Sequence, residues 1–444
     1  LKVNIITLGC SKNTVDSENI AGHLQQAGAT VVFDRRQNDC DIVVVNTCGF
    51  IGDAKEDSVN MLLQQVDDKV HFNQRHARDH RQRLLVAVGC LVERYRDELR
   101  CELPEVDAWY GVHQWNELVG YLVGNLHMAE VEVNHPVGFA HLRMVSTPAH
   151  YAYLKIAEGC NRHCSYCAIP LIRGHHVSRP IDELVAEAKK LVQQGAKEII
   201  LIAQDTTYYG LDLYGERKLG TLMERIAAES GAHWIRIHYT YPTSFPIDAI
   251  EVMRSHDNIC NYIDIPLQHI NSRILGSMNR GIDREGTLQL LQHLRNRLPN
   301  VCIRTTLIVG YPGETEEEFE ELKAFVSEAR FDRMGCFAYS AEDGTDAALL
   351  EDSLTEEEKE DRVSQLMQIQ ESISMERNEA RVGNEYEVLV DRREGNYYVA
   401  RTEFDSPEVD DEVLIATDKK LVFGEFYRVR IARAMEHDLL GELV

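Results

Sequence analysis

No stretch of this sequence runs apolar for the roughly 18 residues a helix needs to cross a bilayer, so its 44% hydrophobic content is spread through globular cores. The opening LKVNIITLGC lacks the basic, apolar and small-residue regions of a secretory signal, and a cytoplasmic location without membrane association is the expectation. Basic residues are scarce: 47 Lys and Arg stand against 72 Asp and Glu, a formal net charge of −25. Such a surface repels phosphate backbones unless a local basic patch overrides it. A basic protein partner is favoured over nucleic acid, with plain solubility as the alternative use of the acidity. Repeats and low-complexity tracts are absent. Cysteines number 11, and an odd count in a cytoplasmic chain argues against a disulfide framework and for metal binding.

The 444 residues suffice for two or three domains. Residues 1–135 alternate strand-like runs (Val3–Thr7, Asp41–Asn46, Leu84–Val88) with amphipathic stretches, which predicts a doubly wound parallel sheet. The polar stretch 67–83 carries His71, His76 and His80 and reads as a surface loop or helix end; a solvated face is favoured there over a metal site. A linker lies around 134–149. Residues 146–380 hold about six β/α units and a following charged helix, the pattern of a partial (β/α) barrel whose site lies at the C-terminal strand ends. Residues 381–444 show short alternating runs, the pattern of a small all-β barrel.

The most specific motif is Cys160-Asn-Arg-His-Cys164-Ser-Tyr-Cys167, just after the first strand of the central domain. Closely spaced thiolates are the usual ligands of iron–sulfur clusters, and three of them leave one iron of a 4Fe–4S cube open to a ligand. Structural zinc takes four ligands, and no second cysteine pair lies nearby. Three more cysteines, Cys10, Cys48 and Cys90, each follow a predicted strand of the first domain. Parallel strands end on one edge of a sheet, so the three can converge on a second cluster; buried small hydrophobes are the other reading. Cys40 and Cys101 lie away from strand ends and read as structural, and Cys260, Cys302 and Cys336 as core. Gln204 and Glu314 follow the second and fifth barrel strands and suit contacts to an amino acid or ribose, or an ordinary turn and helix start.

In order, LGCSKN, VVVNTCGFI, VGCLVERY, GCNRHCSYCAIP, SRP, PLQH, MNRG and LIVGYPGET resemble the methylthiotransferase family of radical S-adenosylmethionine (SAM) enzymes over essentially the whole chain. The resemblance implies an N-terminal cluster domain, a radical SAM barrel and a C-terminal TRAM domain. It implies two 4Fe–4S clusters, one on Cys10, Cys48 and Cys90 and one on Cys160, Cys164 and Cys167, with SAM bound at the second. Tyr166 would then lie near the adenine, or shield the cluster from water. One SAM would methylate a sulfur at the first cluster; a second would yield a 5′-deoxyadenosyl radical that takes a hydrogen from the substrate. An electron donor such as flavodoxin or ferredoxin and a sulfur donor are the further partners, and a monomer is expected.

Within the family, one branch modifies an adenosine of transfer RNA. The other modifies the β-carbon of an aspartate on small-subunit ribosomal protein twelve, free or in the assembled subunit. The segment from His238 to Pro246, the segment 400–410 and the ending His437-Asp-Leu-Leu-Gly441 resemble the second branch. Residues 381–444 carry nine Lys and Arg against fifteen Asp and Glu, a net of −6, which fits a basic protein better than RNA. Tyr239, Tyr241 and Phe245 are candidates for contact with the substrate peptide or for barrel packing.

Overall fold

The computed structural model describes residues 1–33, 39–125 and 142–444. It contains two compact units: Leu1–Ser146 with Ala157–Arg162 and Ala168–Glu187, and Thr147–Ile156 with His163–Cys167 and Ala188–Val444. Part of the expected linker, 134–141, lies outside the described residues.

The first unit is built on five parallel strands, β1 (Lys2–Thr7), β2 (Thr30–Val32), β3 (Ile42–Thr47), β4 (Leu84–Gly89) and β5 (Ala108–Tyr110), in the order β2-β1-β3-β4-β5. The sequence IVVVNT of β3 is apolar at consecutive positions because both faces of the sheet are covered. Ile42 and Val44 pack under α1 (Ser11–Gln26) and α4 (Trp115–Asn125) with Ile20, Leu24 and Leu118. Val43 and Val45 face α2 (Gly52–Arg75) and α3 (Cys90–Glu102) through Leu62 and Val92. Helix α2 runs to Arg75, so the first half of 67–83 is a helix end, where Phe72 is buried and Arg83 lies 4.4 Å over its ring. A short antiparallel pair, Ala157–Glu158 with Val177–Ser178, and helix α5 (Ile169–Arg173) complete this unit, and α6 (Ile181–Gln193) begins in it. Within it, buried Arg143 bridges Glu18 (2.5 Å) and Glu187 (3.0 Å).

The second unit has six parallel strands in two sheets of three: β6 (Tyr151–Lys155), β7 (Glu198–Ile202) and β8 (Trp234–Ile237), then β9 (Tyr262–Asp264), β10 (Cys302–Val309) and β11 (Arg333–Ala338). Helices follow the strands as βα units require: α7 (Leu211–Tyr214), α8 (Leu219–Glu229), α9 (Ile247–Ser255), α10 (Ser272–Ser277), α11 (Arg284–Arg297) and α12 (Glu316–Ala329). Helices α12 and α13 (Glu356–Glu379) both start on capping boxes, Thr315 with Glu318 and Thr355 with Glu358. The acidic first turn of α13 is therefore a helix start that complements the helix dipole. The C-terminal strands β12 (Glu385–Glu394), β13 (Tyr397–Arg401), β14 (Val413–Ala416), β15 (Phe426–Ala434) and β16 (Leu439–Leu443) close a barrel in the order β12-β13-β14-β16-β15.

This small barrel seals the N-terminal ends of the core strands, opposite the end where a (β/α) barrel does chemistry. Leu389, Phe404 and Phe426 cover Trp234, Cys260, Tyr262 and Cys302. Beside them Glu198, fully buried, accepts from Arg236 Nε (2.7 Å) and Arg401 Nη1 (2.8 Å), and Arg401 also donates to Asp391 (2.7 Å). Burial opposes ionisation of Glu198, but Arg401 and Arg236 outweigh it and hold the carboxyl below its ordinary value. Several of the C-terminal acids are thus spent internally: Asp391, Asp405 and Asp410 pair with Arg401, Arg333 and Arg304. Substituting Glu198→Ala leaves buried Arg236 with no carboxylate and Arg401 with Asp391 alone, and is expected to cost about 3–5 kcal/mol in urea denaturation. A loss under about 1 kcal/mol would show the network to be solvated.

Candidate functional site

In the first unit, β1, β3 and β4 end on one edge of the sheet, and Cys10, Cys48 and Cys90 follow them. Glycines let these three turns close on one another. Gly9 has φ +88°, and a Cβ there would lie 2.6 Å from Cys48 Cβ. A Cβ at Gly49 would lie 2.7 Å from the backbone of Leu91, next to Cys90. Asn13, fully buried, ties the turns together: its Nδ2 donates to Leu8 O (2.8 Å) and Thr47 O (3.1 Å), and its Oδ1 lies 3.7 Å from Cys90 Sγ. Ser58 fixes the Cys48 turn, accepting from its N–H and donating to its carbonyl (both 2.9 Å).

The donor set is three thiols. Zinc–sulfur bonds near 2.3 Å bring tetrahedral thiolates to roughly 3.8 Å from each other. Among the described residues, the only His, Cys, Asp or Glu group with ligand atoms all within 4.8 Å of one another is Glu371, Glu436 and His437 on the surface. Cys10, Cys48 and Cys90 do not form such a group. His71, His76 and His80 form no such group either. Burial disfavours the thiolate of Cys10, but Lys12, Arg173 and the backbone N–H groups of Asn13 and Lys12 outweigh it and lower its pKa. Burial pushes Cys48 up to about 11 and raises Cys90, whose thiol Arg173 pulls the other way.

The CxxxCxxC loop is divided between the units. Cys160, in the first, has its N–H on Gly174 O (3.0 Å), and Arg162 N–H points at its sulfur (3.4 Å). Cys164 and Cys167, in the second, belong to a turn closed by Cys167 N–H to Cys164 O (3.0 Å). The segment Ser277–Arg280 clamps this turn. Ser165 N–H donates to Met278 O (3.1 Å), Ser165 Oγ to Ser277 O (2.8 Å), and Asn279 Nδ2 to His163 O (2.7 Å). Arg280, buried, donates to Cys164 Sγ (3.4 Å), Tyr166 Oη (3.2 Å) and Pro266 O, and stacks 4.2 Å over the Tyr241 ring. Tyr241 Oη lies 3.5 Å from the same sulfur. Tyr241 Oη in turn donates to Arg280 O (2.9 Å), so the ring, the guanidinium and the Cys164 sulfur are held together.

The N-terminal part of the chain matches the model described as uncharacterized protein family UPF0004 over residues 2–111, the centre matches the radical SAM superfamily over 154–326, and the C-terminus matches the TRAM domain over 382–444. The uS12 methylthiotransferase RimO of Phocaeicola vulgatus is 50% identical over 444 residues, covering 100% of this chain and 99% of its own. That of Flavobacterium johnsoniae is 51% identical over 443 residues, covering 99% and 98%. This chain belongs to the ribosomal protein uS12 methylthiotransferase RimO family. Two solved structures share the fold at 12% identity: TsrM of Kitasatospora setae (TM-score 0.53, 76% of this chain and 72% of that one) and OxsB (0.54, 84% and 56%).

As a RimO-family radical SAM protein, the chain is an enzyme that uses SAM and iron–sulfur chemistry, and the expected fold class is the one observed. Tyr166 lies in the clamped loop, half-buried, with burial holding its hydroxyl neutral despite Arg280. Gln204 is half-buried directly after β7. Glu314 Oε2 accepts from the N–H groups of Gly310 (2.8 Å) and Tyr311 (3.3 Å), and its Oε1 from Arg362 (2.5 Å). That carboxylate shapes the turn after β10. Tyr241 is packed against the cysteine loop, whereas Phe245 and exposed Ile247 line an open groove of about 460 Å³ with Ile282 and Leu290. Cys40, Cys260 and Cys302 are buried as expected, but Cys101 is exposed.

Two core histidines make the second unit sensitive to acid. Burial drives His238 down to about 3, against Asp264 and with Arg236 and Arg304; its ring nitrogen meets Ser406 Oγ at 2.8 Å. Burial also drives His269 to about 3, against Glu318 and with Arg273 and Arg362. Both stay neutral when folded and take protons near 6.5 when unfolded, so stability is lost as pH falls below 6.5. Asp411 works oppositely: burial raises it to about 6 from 3.8, so it favours the folded state between those values as pH falls. The two histidines outnumber Asp411, so a net loss of stability is expected as pH falls from 7 to 5. Denaturation midpoints measured from pH 7 to pH 5 check this; a flat profile, or one unchanged by His238→Gln, contradicts it.

Proposed function

We propose that this chain adds a methylthio group to the β-carbon of an aspartate of ribosomal protein uS12. In this reading Cys10, Cys48 and Cys90 hold one 4Fe–4S cluster and Cys160, Cys164 and Cys167 a second, within domains spanning 1–135, 146–380 and 381–444. The convergence of three cysteine turns on one sheet edge is the observation that carries it, because a SAM-cleaving cluster alone supplies no sulfur. Once bound, the clusters supply one iron for SAM and one for sulfur, and with SAM the radical chemistry that an unactivated carbon requires.

The chain's own residues do the rest. Arg280 and Tyr241 hold the Cys164 thiolate, while Tyr166 and Gln204 at the strand ends are the proposed contacts to SAM. The groove at Phe245 and Ile247 continues from the Tyr241 turn, and an apolar side chain of the uS12 segment next to its aspartate is the occupant we assign to it. The net charge of −25 suits a basic ribosomal protein. No helix among the described residues is long and apolar enough to cross a membrane. A cytoplasmic monomer served by a flavodoxin- or ferredoxin-type electron donor and a separate sulfur donor completes the proposal.

Reconstituted, reduced protein is to be incubated with SAM and either uS12 or transfer RNA, and both digested for mass spectrometry. A methylthio group on a uS12 aspartate and none on RNA is the expected result. Modification of an adenosine instead would overturn the substrate assignment.

A further inference from the structure

Arg173 ends the five-residue helix α5, six residues beyond the last cysteine of the CxxxCxxC motif, yet its side chain is committed to the other set of cysteines. It is 3% exposed. The two ends of its guanidinium have different partners. Nη1 meets carboxylates, Asp16 at 2.7 Å and Glu158 at 3.1 Å. Nη2 meets Cys90 Sγ at 3.3 Å and Asn13 Oδ1 at 2.5 Å. Asn13 is the residue that joins the turns of Cys10 and Cys48 through Leu8 O and Thr47 O. One permanent cation thus touches a cysteine and the amide that gathers the other two. The apolar side of α5 is fixed separately: Ile172 and Ala168 pack on Cys90.

Burying a guanidinium costs several kcal/mol, and packing alone does not call for a charge there. The carboxylates repay part of that cost, but they lie on the far end of the group, away from the sulfur. Reduction adds an electron to a cluster that three thiolates already make negative. A buried donor cation against one of those sulfurs favours the reduced form, since net charge and hydrogen bonds to sulfur set cluster potentials.

We propose that Arg173 is a positioning residue of the Cys10–Cys48–Cys90 centre, orienting Asn13 and Cys90 and raising the reduction potential of the cluster held there. The inference rests on the two-cluster reading above, and its test separates the two. The full chain with Cys160, Cys164 and Cys167 replaced by Ala isolates the N-terminal centre. In that background, Arg173→Gln and Arg173→Lys are reconstituted anaerobically, iron is counted, and a redox titration is followed by electron paramagnetic resonance. Arg173→Gln is expected to lower the reduced-to-oxidised ratio at a fixed poise about tenfold, which is 59 mV for a one-electron couple. Arg173→Lys, which keeps the charge, is expected to stay near the parent. Iron lost from Arg173→Gln but retained by Arg173→Lys also supports the role, as a requirement for the cation. An unchanged ratio in Arg173→Gln with full iron overturns the proposal. So does an equal fall, or an equal loss of iron, in both variants, which would make Arg173 a packing element. If the parent background itself holds no iron, the two-cluster reading fails, not the role of Arg173 within it.

Discussion

Alanine at Cys10, Cys48 and Cys90 together leaves 5′-deoxyadenosine formation running and brings methylthio transfer to uS12 down to background. The reason lies in how the turns are built. Gly9, Gly49 and Asn13 draw the three thiols to one sheet edge, and none of these residues belongs to the second unit, where Cys164 meets Arg280 and Tyr241. Each Cys→Ala change removes one sulfur at a cost on the order of 1 kcal/mol, so the sheet survives. Assaying both products from one anaerobic incubation separates the two functions. Persistent methylthio product would remove this centre from sulfur delivery, and loss of 5′-deoxyadenosine with it would show that the centres do not act separately.

Alanine at Cys160, Cys164 and Cys167 has the opposite signature, with 5′-deoxyadenosine and methylthiolated uS12 both falling to background. Arg280 and Tyr241 then face no thiolate, and the cation, 4% exposed, keeps only its bonds to Tyr166 and Pro266 and its stacking on Tyr241. Iron content is expected to fall by half in either triple variant. Undiminished 5′-deoxyadenosine in this variant would remove the CxxxCxxC centre from the mechanism.

Much of this architecture can be read from residue order. Helices α9, α11 and α12 begin and end where their sequence does, because Asp283 and Thr315 cap the last two with side-chain hydrogen bonds. The cysteine turns are legible because apolar β-branched runs stop at Gly-Cys or Thr-Cys steps. The three-residue strands β2 and β5 are not legible, since pairing along the sheet makes them strands rather than any local pattern. Strand β16 reads as a motif, His437 to Gly441, and becomes a strand only by closing the barrel beside β14. Asn13, Arg173 and Arg280 stand inside recognisable motifs, but each has a decisive partner 34–160 residues away, so their work is visible only in the folded chain. Glu314 shows another such case: its bonds to the turn after β10 and to Arg362 are set by the folded chain, 48 residues apart for the latter.

Iron and acid-labile sulfide content, with electron paramagnetic resonance on anaerobically prepared wild-type protein, tests the central claim most directly. About eight iron and eight sulfide per chain, halved by either cysteine triple, are predicted from two cubes. About four iron, or zinc at the Cys10–Cys48–Cys90 edge, would contradict it.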